Sequence, residues 1–278
     1  VVLCPTDFSL QSGIALKFAE TIARVFGAKL TVLHAAESDA PAYFTDAQLQ
    51  EIASQEQQVE EEGTIQIKDF AKEHLGAECE FDAVFVGDSP TAAILDKSLR
   101  ANTLLIALGT HGRSGFEKLR FGSVAEAVLR GSNSPVLTIN ENIKAVEAIN
   151  IARIVCPVDL TPESEKSLGF ASEMASRFDA ELFVIHVRAD DPDVNADQDL
   201  TTLCSWVPAD AKAKCKLQEL VRHGDISKEI LNAATELSAD LIVIGARHGI
   251  FGDETLGAHT FEILRNARAP VITIPMNK

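Results

Sequence analysis

The residues best suited to chemistry lie in one stretch, Gly109-Thr110-His111-Gly112, followed after nine residues by Gly122-Ser123. Glycine lets the backbone take positive φ and approach an anion without a Cβ in the way. A helix opening at Ser123 offers unpaired N–H groups and the positive end of its dipole. Between the glycines stand Arg113, Lys118 and Arg120 against a single acid, Glu117. In a chain of net charge −16, such a local cationic patch is the exception that an anion site requires. Asp7 adds a carboxylate able to accept hydrogen bonds from ribose hydroxyls. Two plainer readings stand beside these: Ser123-Val-Ala-Glu126 fits a capping box, and Asp7 fits the N-cap of a first helix.

The elements that must position these residues alternate. Short apolar runs at Val1–Cys4, Leu30–His34, Glu80–Val86, Leu104–Leu108 and Val136–Ile139 read as strands. Helical patterns lie between them; Ala15, Phe18, Ala19, Ile22, Ala23 and Phe26 share one face at 3.6 periodicity. Strands that are apolar throughout and separated by helices imply a parallel sheet covered on both faces. Ligands in such sheets bind beyond the carboxyl ends of the strands, where the winding direction switches. The residues following the strands are Pro5-Thr6-Asp7, Ala35-Ala36, Gly87-Asp88 and the glycine stretch itself.

The pattern occurs twice. Cys4-Pro5-Thr6-Asp7-Phe8-Ser9 aligns with Cys156-Pro157-Val158-Asp159-Leu160-Thr161, an offset of 152 that also pairs Phe18 with Phe170 and His34 with His186. Leu105–Gly109 answers to Leu241–Gly245, and Pro135–Ile139 to Pro270–Ile274. The expected domains are 1–142 and 151–278, joined near the polar stretch Asn140–Asn150. The closing strand of each copy, Val136–Ile139 and Val271–Ile274, is expected at a sheet edge, which invites pairing.

The second copy departs in its loop. Gly245 to Gly257 spans twelve positions against thirteen from Gly109 to Gly122, and Ala258 replaces the hydroxyl of Ser123. Asp253 and Glu254 stand where the first copy is basic, with Arg247 and His248 in partial compensation. A unit charge a few ångströms from a phosphate is worth on the order of 1–4 kcal/mol, so the second copy is expected to hold a polyphosphate weakly or not at all.

Composition excludes several classes. With 46% hydrophobic and 24% charged residues, the chain is globular rather than disordered. Its negative charge makes nucleic acid and anionic membranes poor partners. The longest apolar runs have strand length, short of a membrane span. The five cysteines show no CxxC spacing and read as reduced thiols of a cytoplasmic protein. No signal-peptide pattern opens the chain, and its abrupt start at Val1 suggests that a few residues precede it. Asp191, Asp193, Asn195, Asp197 and Asp199 alternate like a calcium loop, but Ala196 stands where that loop needs glycine and Thr202 where it needs glutamate; a solvated acidic loop is the better reading. Glu60–Glu62 reads as an exposed turn of a long helix over Asp46–Leu75, His34 and His186 as structural, and Cys4 and Cys156 as small buried hydrophobes.

Gly109-x2-Gly112-x9-Gly122-Ser123, with Pro5-Thr6-Asp7-Phe8-Ser9 at the start, resembles the ATP-binding branch of the universal stress protein family over both halves of the chain. The resemblance implies an α/β fold of two tandem Rossmann-like domains, each a five-stranded parallel sheet of order 3-2-1-4-5 flanked by helices. It implies ATP in the first domain, with Asp7 (beside Pro5 and Thr6) at the adenosine, the Ala35 backbone at the adenine, and Leu108 and Gly109 along the ribose. Gly112, Arg113, Gly122, Ser123, Val124 and Ala125 would surround the phosphates, and Mg2+ would be held mainly by the phosphates themselves. It also implies that the two edge strands pair within the chain as an internal pseudo-dimer, with a further homodimer open. Two functional classes stand: a nucleotide-dependent regulator read by a protein partner, and a slow ATP-hydrolysing or nucleotidyl-transferring enzyme. A nucleotide-free interaction module is a third, fitting the second copy better. No residue is an evident general base, since His111 has no orienting acid.

Overall fold

The computed structural model describes residues 1–36, 46–110, 121–188, 196–246 and 257–275. The chain forms two compact units, Val1–Ser134 and Pro135–Lys278. In the first, the order is β1 (Val2–Pro5), α1 (Leu10–Phe26), β2 (Leu30–Ala35), α2 (Asp46–His74), β3 (Phe81–Val86), α3 (Pro90–Arg100), β4 (Leu105–Gly109) and α4 (Ser123–Gly131). The strands are parallel in the order β3-β2-β1-β4. Leu3, Leu105 and Ile106 lie fully buried on the central strands, as two-sided helical cover requires. α1 and α2 pack together as one helical layer, α3 and α4 as the other. Because β2 and β4 leave β1 on opposite sides, a crevice opens at the carboxyl ends of β1 and β4.

The apolar stripe of α1 is buried from Ile14 to Ala23. Its N-cap is Ser9, whose hydroxyl accepts the Ser12 N–H at 3.2 Å, so Asp7 is not the cap. Glu60–Glu62 form an exposed turn of α2, as read from the sequence.

The second unit contains β5 (Val136–Ile139), β6 (Arg153–Val158), α5 (Pro162–Phe178), β7 (Glu181–Arg188), α6 (Ala196–Trp206), α7 (Ala209–Lys214), β8 (Lys216–His223), α8 (Ile226–Glu236), β9 (Leu241–Gly245), α9 (Ala258–Asn266) and β10 (Val271–Ile274). Strands β8-β7-β6-β9-β10 are parallel, in the expected 3-2-1-4-5 order. β5 adds an antiparallel strand beside β10, with Leu137 opposite Ile272 and the Thr138 hydroxyl donating to Val271 O at 3.2 Å. The closing strands of the two copies therefore pair with each other. The closing strand of the first copy, β5, falls within the second compact unit.

The segment after β5 is anchored, not loose. Asn140 is 2% exposed, and its amide donates to Leu264 O and Ala267 O, both at 2.9 Å, while its Oδ1 accepts the Asn142 N–H at 2.9 Å. One side chain thus satisfies carbonyls at the end of α9 that the helix leaves without partners. Replacing Asn140 with alanine is expected to destabilise the second unit by about 2–3 kcal/mol, since two buried carbonyls lose their donor. Urea unfolding followed at Trp206, the single tryptophan, measures this directly, and a change under about 0.5 kcal/mol would show the anchor to be dispensable.

Cys4 and Cys156 are fully buried in β1 and β6. Burial pushes both thiols up, Cys156 to about 12, so neither is a thiolate under ordinary conditions. Of the calcium-like acidic series, Asp191, Asp193 and Asn195 lie outside the described residues. Asp199 is not solvated: it is buried in α6 and paired with Arg188 at 2.5 Å.

Candidate functional site

The crevice of the first unit is a cleft of about 240 Å³ where β1, β2 and β4 end and α4 begins. Pro5, Thr6, Asp7, Ala35, Leu108, Gly109, Gly122, Ser123, Val124 and Ala125 all line it. Strand ends and helix starts that are distant in sequence are brought to one opening. Gly112 and Arg113, with His111, Lys118 and Arg120, fall in 111–120 and lie outside the described residues. The cleft also takes in Ser12, His34, Pro90 and Ile94, which the sequence reading did not place there, and Thr110 from the glycine stretch. Pro90 and Ile94 follow directly from Gly87-Asp88, a strand end already marked, so that signal was available.

Gly109 and Gly122 are needed for close approach, not for positive φ. Gly122 has φ −61° and ψ 138°, an extended conformation open to any residue. A Cβ there would sit 2.6 Å from the Thr110 carbonyl oxygen, which already accepts the Gly122 N–H at 2.7 Å. A Cβ on Gly109 would meet Gln11 Cβ at 2.8 Å and the Ser12 backbone nitrogen at 3.0 Å, so this glycine lets β4 lie against the first turn of α1.

The same geometry decides the capping question. Gly122 is the N-cap of α4 and Ser123 its first residue, so Ser123 and Glu126 form no capping box. Glu126 instead pairs with Arg130 one turn on. With no side-chain cap, the first turn of α4 presents backbone N–H groups and the positive end of the helix to the cleft.

Asp7 stands at the other side of the opening. Its Oδ1 accepts the Ser9 N–H at 3.1 Å, and its Oδ2 has no hydrogen bond among the described residues. Phe8 holds this turn at φ 62°, a left-handed conformation costing a non-glycine residue roughly 1–2 kcal/mol; its twin Leu160 has φ 61°. The strain is common to both copies. His34 donates from Nδ1 to Thr6 O at 2.7 Å, because a carbonyl can only accept; in the neutral ring Nε2 is then an acceptor. Phe8 packs beside it, ring centroids 4.5 Å apart. His34 is thus structural, as expected, and a wall of the cleft as well.

The corresponding cleft of the second unit is smaller, about 140 Å³, and more aliphatic, with Ile185, Val187, Ile226, Ile230, Ile244 and Ile263 on its walls. Val187 takes the place of Ala35. At the start of α9, Ala258 and His259 replace Ser123 and Val124, and His259 is bonded to Ser227 at 2.9 Å. Asp159 lines the cleft but is engaged by its own loop: Oδ1 accepts the Thr161 hydroxyl at 2.5 Å, the Thr161 N–H at 3.2 Å and the Ser164 hydroxyl. The acidic pair Asp253 and Glu254, with Arg247, His248 and Gly249, lies outside the described residues.

Comparisons with known proteins agree with this architecture. The profile of the universal stress protein family matches residues 1–140 and again 150–275. A universal stress protein of Mycobacterium tuberculosis is 25% identical, the match covering 98% of this chain and 95% of that protein. Universal stress protein A homolog 1 of Coxiella burnetii is 30% identical over 45% of this chain and 96% of its own length, consistent with a single copy of the repeat. Among solved structures, a universal stress protein from Archaeoglobus fulgidus matches with a TM-score of 0.68 at 24% identity, covering 99% of this chain and 98% of the other. No helix among the described residues is long and apolar enough to cross a membrane. A duplicated parallel α/β fold, the family's profile over both halves, and relatives spanning nearly the whole length lead to one conclusion: the chain belongs to the universal stress protein family.

Proposed function

We propose that the first unit binds ATP and that the protein is a nucleotide-dependent regulator of a stress response, whose occupied state is read by a protein partner. The carrying observation is that one cleft has an open carboxylate, Asp7, on one side and the uncapped start of α4 on the other. A carboxylate accepts hydrogen bonds from a sugar's hydroxyls; a helix start attracts phosphate. A nucleotide has that same polarity along its length. At about 240 Å³ the described cleft is just below the usual range of small-molecule sites, suiting the nucleoside part while the phosphates run out along α4.

In this reading Asp7 accepts from the ribose or adenine, the Ala35 backbone meets the adenine edge, and Leu108 and Gly109 flank the ribose. Gly122, Ser123, Val124 and Ala125 face the phosphates, with Gly112 and Arg113 assigned there by the family's loop pattern. A divalent cation, held by the phosphates, would neutralise their charge. The second unit, with its smaller cleft and engaged Asp159, is not a tight site for ATP.

Titration calorimetry of the full chain with ATP and Mg2+ is expected to give one molecule per chain. Two equal sites would overturn the division between units, and no heat with no bound nucleotide would overturn the reading altogether. Incubation with labelled ATP separates the functional classes: unhydrolysed ATP retained on the protein supports a regulator, whereas repeated turnover supports an enzyme.

A further inference from the structure

Asp7 and Asp159 follow β1 and β6 at matching positions of the repeat and differ in what holds them. Around Asp7 the polar groups form a closed relay. The Phe8 N–H donates to Thr6 Oγ1 at 2.9 Å, Thr6 Oγ1 lies 3.0 Å from Ser12 Oγ, and the Ser12 hydroxyl donates to Ser9 O at 2.9 Å. Ser12 has one hydroxyl proton and it goes to Ser9 O, so the proton between the two side chains belongs to Thr6. Every hydroxyl in the relay is satisfied, and none turns to Asp7.

In the second unit the relay is broken at its first member. Val158 stands in place of Thr6, at the same 6% exposure, and offers no hydroxyl. Ser164, the twin of Ser12, donates instead to Asp159 Oδ1 and accepts the Asp159 N–H at 3.2 Å. Thr161, the twin of Ser9, also gives its hydroxyl to Asp159 Oδ1, and α5 lacks the side-chain cap that Ser9 provides to α1. One carboxylate oxygen thus takes three donors from its own loop, where the matching oxygen of Asp7 takes one.

We propose that Thr6 is a positioning residue: by holding Ser12 it keeps Asp7 open to a ligand's vicinal hydroxyls, and Val158 closes the twin site by releasing Ser164 onto Asp159. The proposal deepens the nucleotide reading of the first cleft and rests on it for the identity of the ligand. Neither residue needs to touch the ligand. Valine and threonine have nearly the same shape, so the exchange changes a hydroxyl and little else.

The test uses the full chain carrying T6V, T6S or V158T. Its first arm needs no nucleotide. In crystals of T6V the Ser12 hydroxyl is expected on the Asp7 carboxylate, and in V158T Ser164 is expected on the introduced hydroxyl instead of Asp159; Ser12 still on Ser9 O in T6V, or Ser164 still on Asp159 in V158T, overturns the relay. The second arm compares ATP with dideoxy-ATP, which lacks both ribose hydroxyls. The unaltered protein is expected to prefer ATP by roughly tenfold, the worth of a hydrogen bond to a charged group. T6V should abolish that preference, so that ATP binds no better than dideoxy-ATP, and T6S should restore it. A preference that survives in T6V, or a loss shared equally by both nucleotides, overturns the positioning role. If the unaltered protein binds neither nucleotide, it is the nucleotide reading that fails, and the crystals alone decide the relay.

Discussion

Replacing Gly122 with aspartate is expected to weaken ATP binding at least about a hundredfold without unfolding the first unit. Two effects combine. A Cβ at this position would lie 2.6 Å from Thr110 O, a backbone atom that cannot swing away, so the start of α4 must shift from where it faces the cleft. The carboxylate would then stand at the positive end of the helix and occupy the place proposed for phosphate. A like charge a few ångströms from a phosphate costs on the order of 1–4 kcal/mol. Gly122→Ala separates the terms, because it keeps the steric conflict and adds no charge; about tenfold weakening is expected from it. Gly257 caps α9 with nearly the same backbone angles, φ −57° and ψ 145°, so Gly257→Asp is the matched control and should leave ATP binding unchanged. Calorimetry of the three variants checks this. Unchanged affinity in Gly122→Asp would remove α4 from the site.

The second large effect concerns stability. Gly109→Val is expected to destabilise the first unit by about 3 kcal/mol, within the range seen when a packed contact is overfilled. The added Cβ would meet Gln11 Cβ at 2.8 Å, the Ser12 nitrogen at 3.0 Å and the Gln11 carbonyl carbon at 3.1 Å. Two of these are main-chain atoms inside a capped helix, so relief requires α1 to move off β4. Hydrogen exchange gives the localised readout. Amides of α1, β1 and β4 should exchange faster while those of β6 to β10 keep their rates. Equal acceleration in both units, or none, would mean that the contact is not the one that holds α1 in place.

Both predictions rest on glycines that the sequence marked for a different reason. A glycine can be required for its φ or for its missing Cβ, and a sequence does not distinguish them. At Gly109 and Gly122 the cause is the approach of Gln11 and of Thr110, contacts across about a hundred residues in one case and a loop in the other. The N-cap of α4 was placed one residue late for a related reason, since Ser123 is a good cap by type and only the path of the chain makes Gly122 the cap.

The strands were legible to within a residue at most ends: Val136–Ile139 was read at its observed limits, and Leu104–Leu108 is observed as Leu105–Gly109. Buried parallel strands declare themselves because both faces must be apolar. The sequence marked β5 and β10 as edge strands and the family resemblance implied their pairing, but neither showed the anchoring of Asn140 to the end of α9.

By itself the sequence determined the duplication, the alternation of strand and helix, and the switch-point crevice with Asp7, Ala35 and Gly109 at its strand ends, because these follow from periodicity; Leu108, Val124 and Ala125 were placed there by the family resemblance. Only the tertiary structure decided that Asp7 is open and Asp159 engaged. Both aspartates follow the same Cys-Pro-x stretch and precede a hydroxyl residue two positions on. Their difference comes from where the hydroxyls of Ser12 and Ser164 point, which depends on a threonine or a valine meeting them from the neighbouring strand end. A hydrogen bond's direction is set by the partners that folding brings within reach, and no spacing along a chain encodes it.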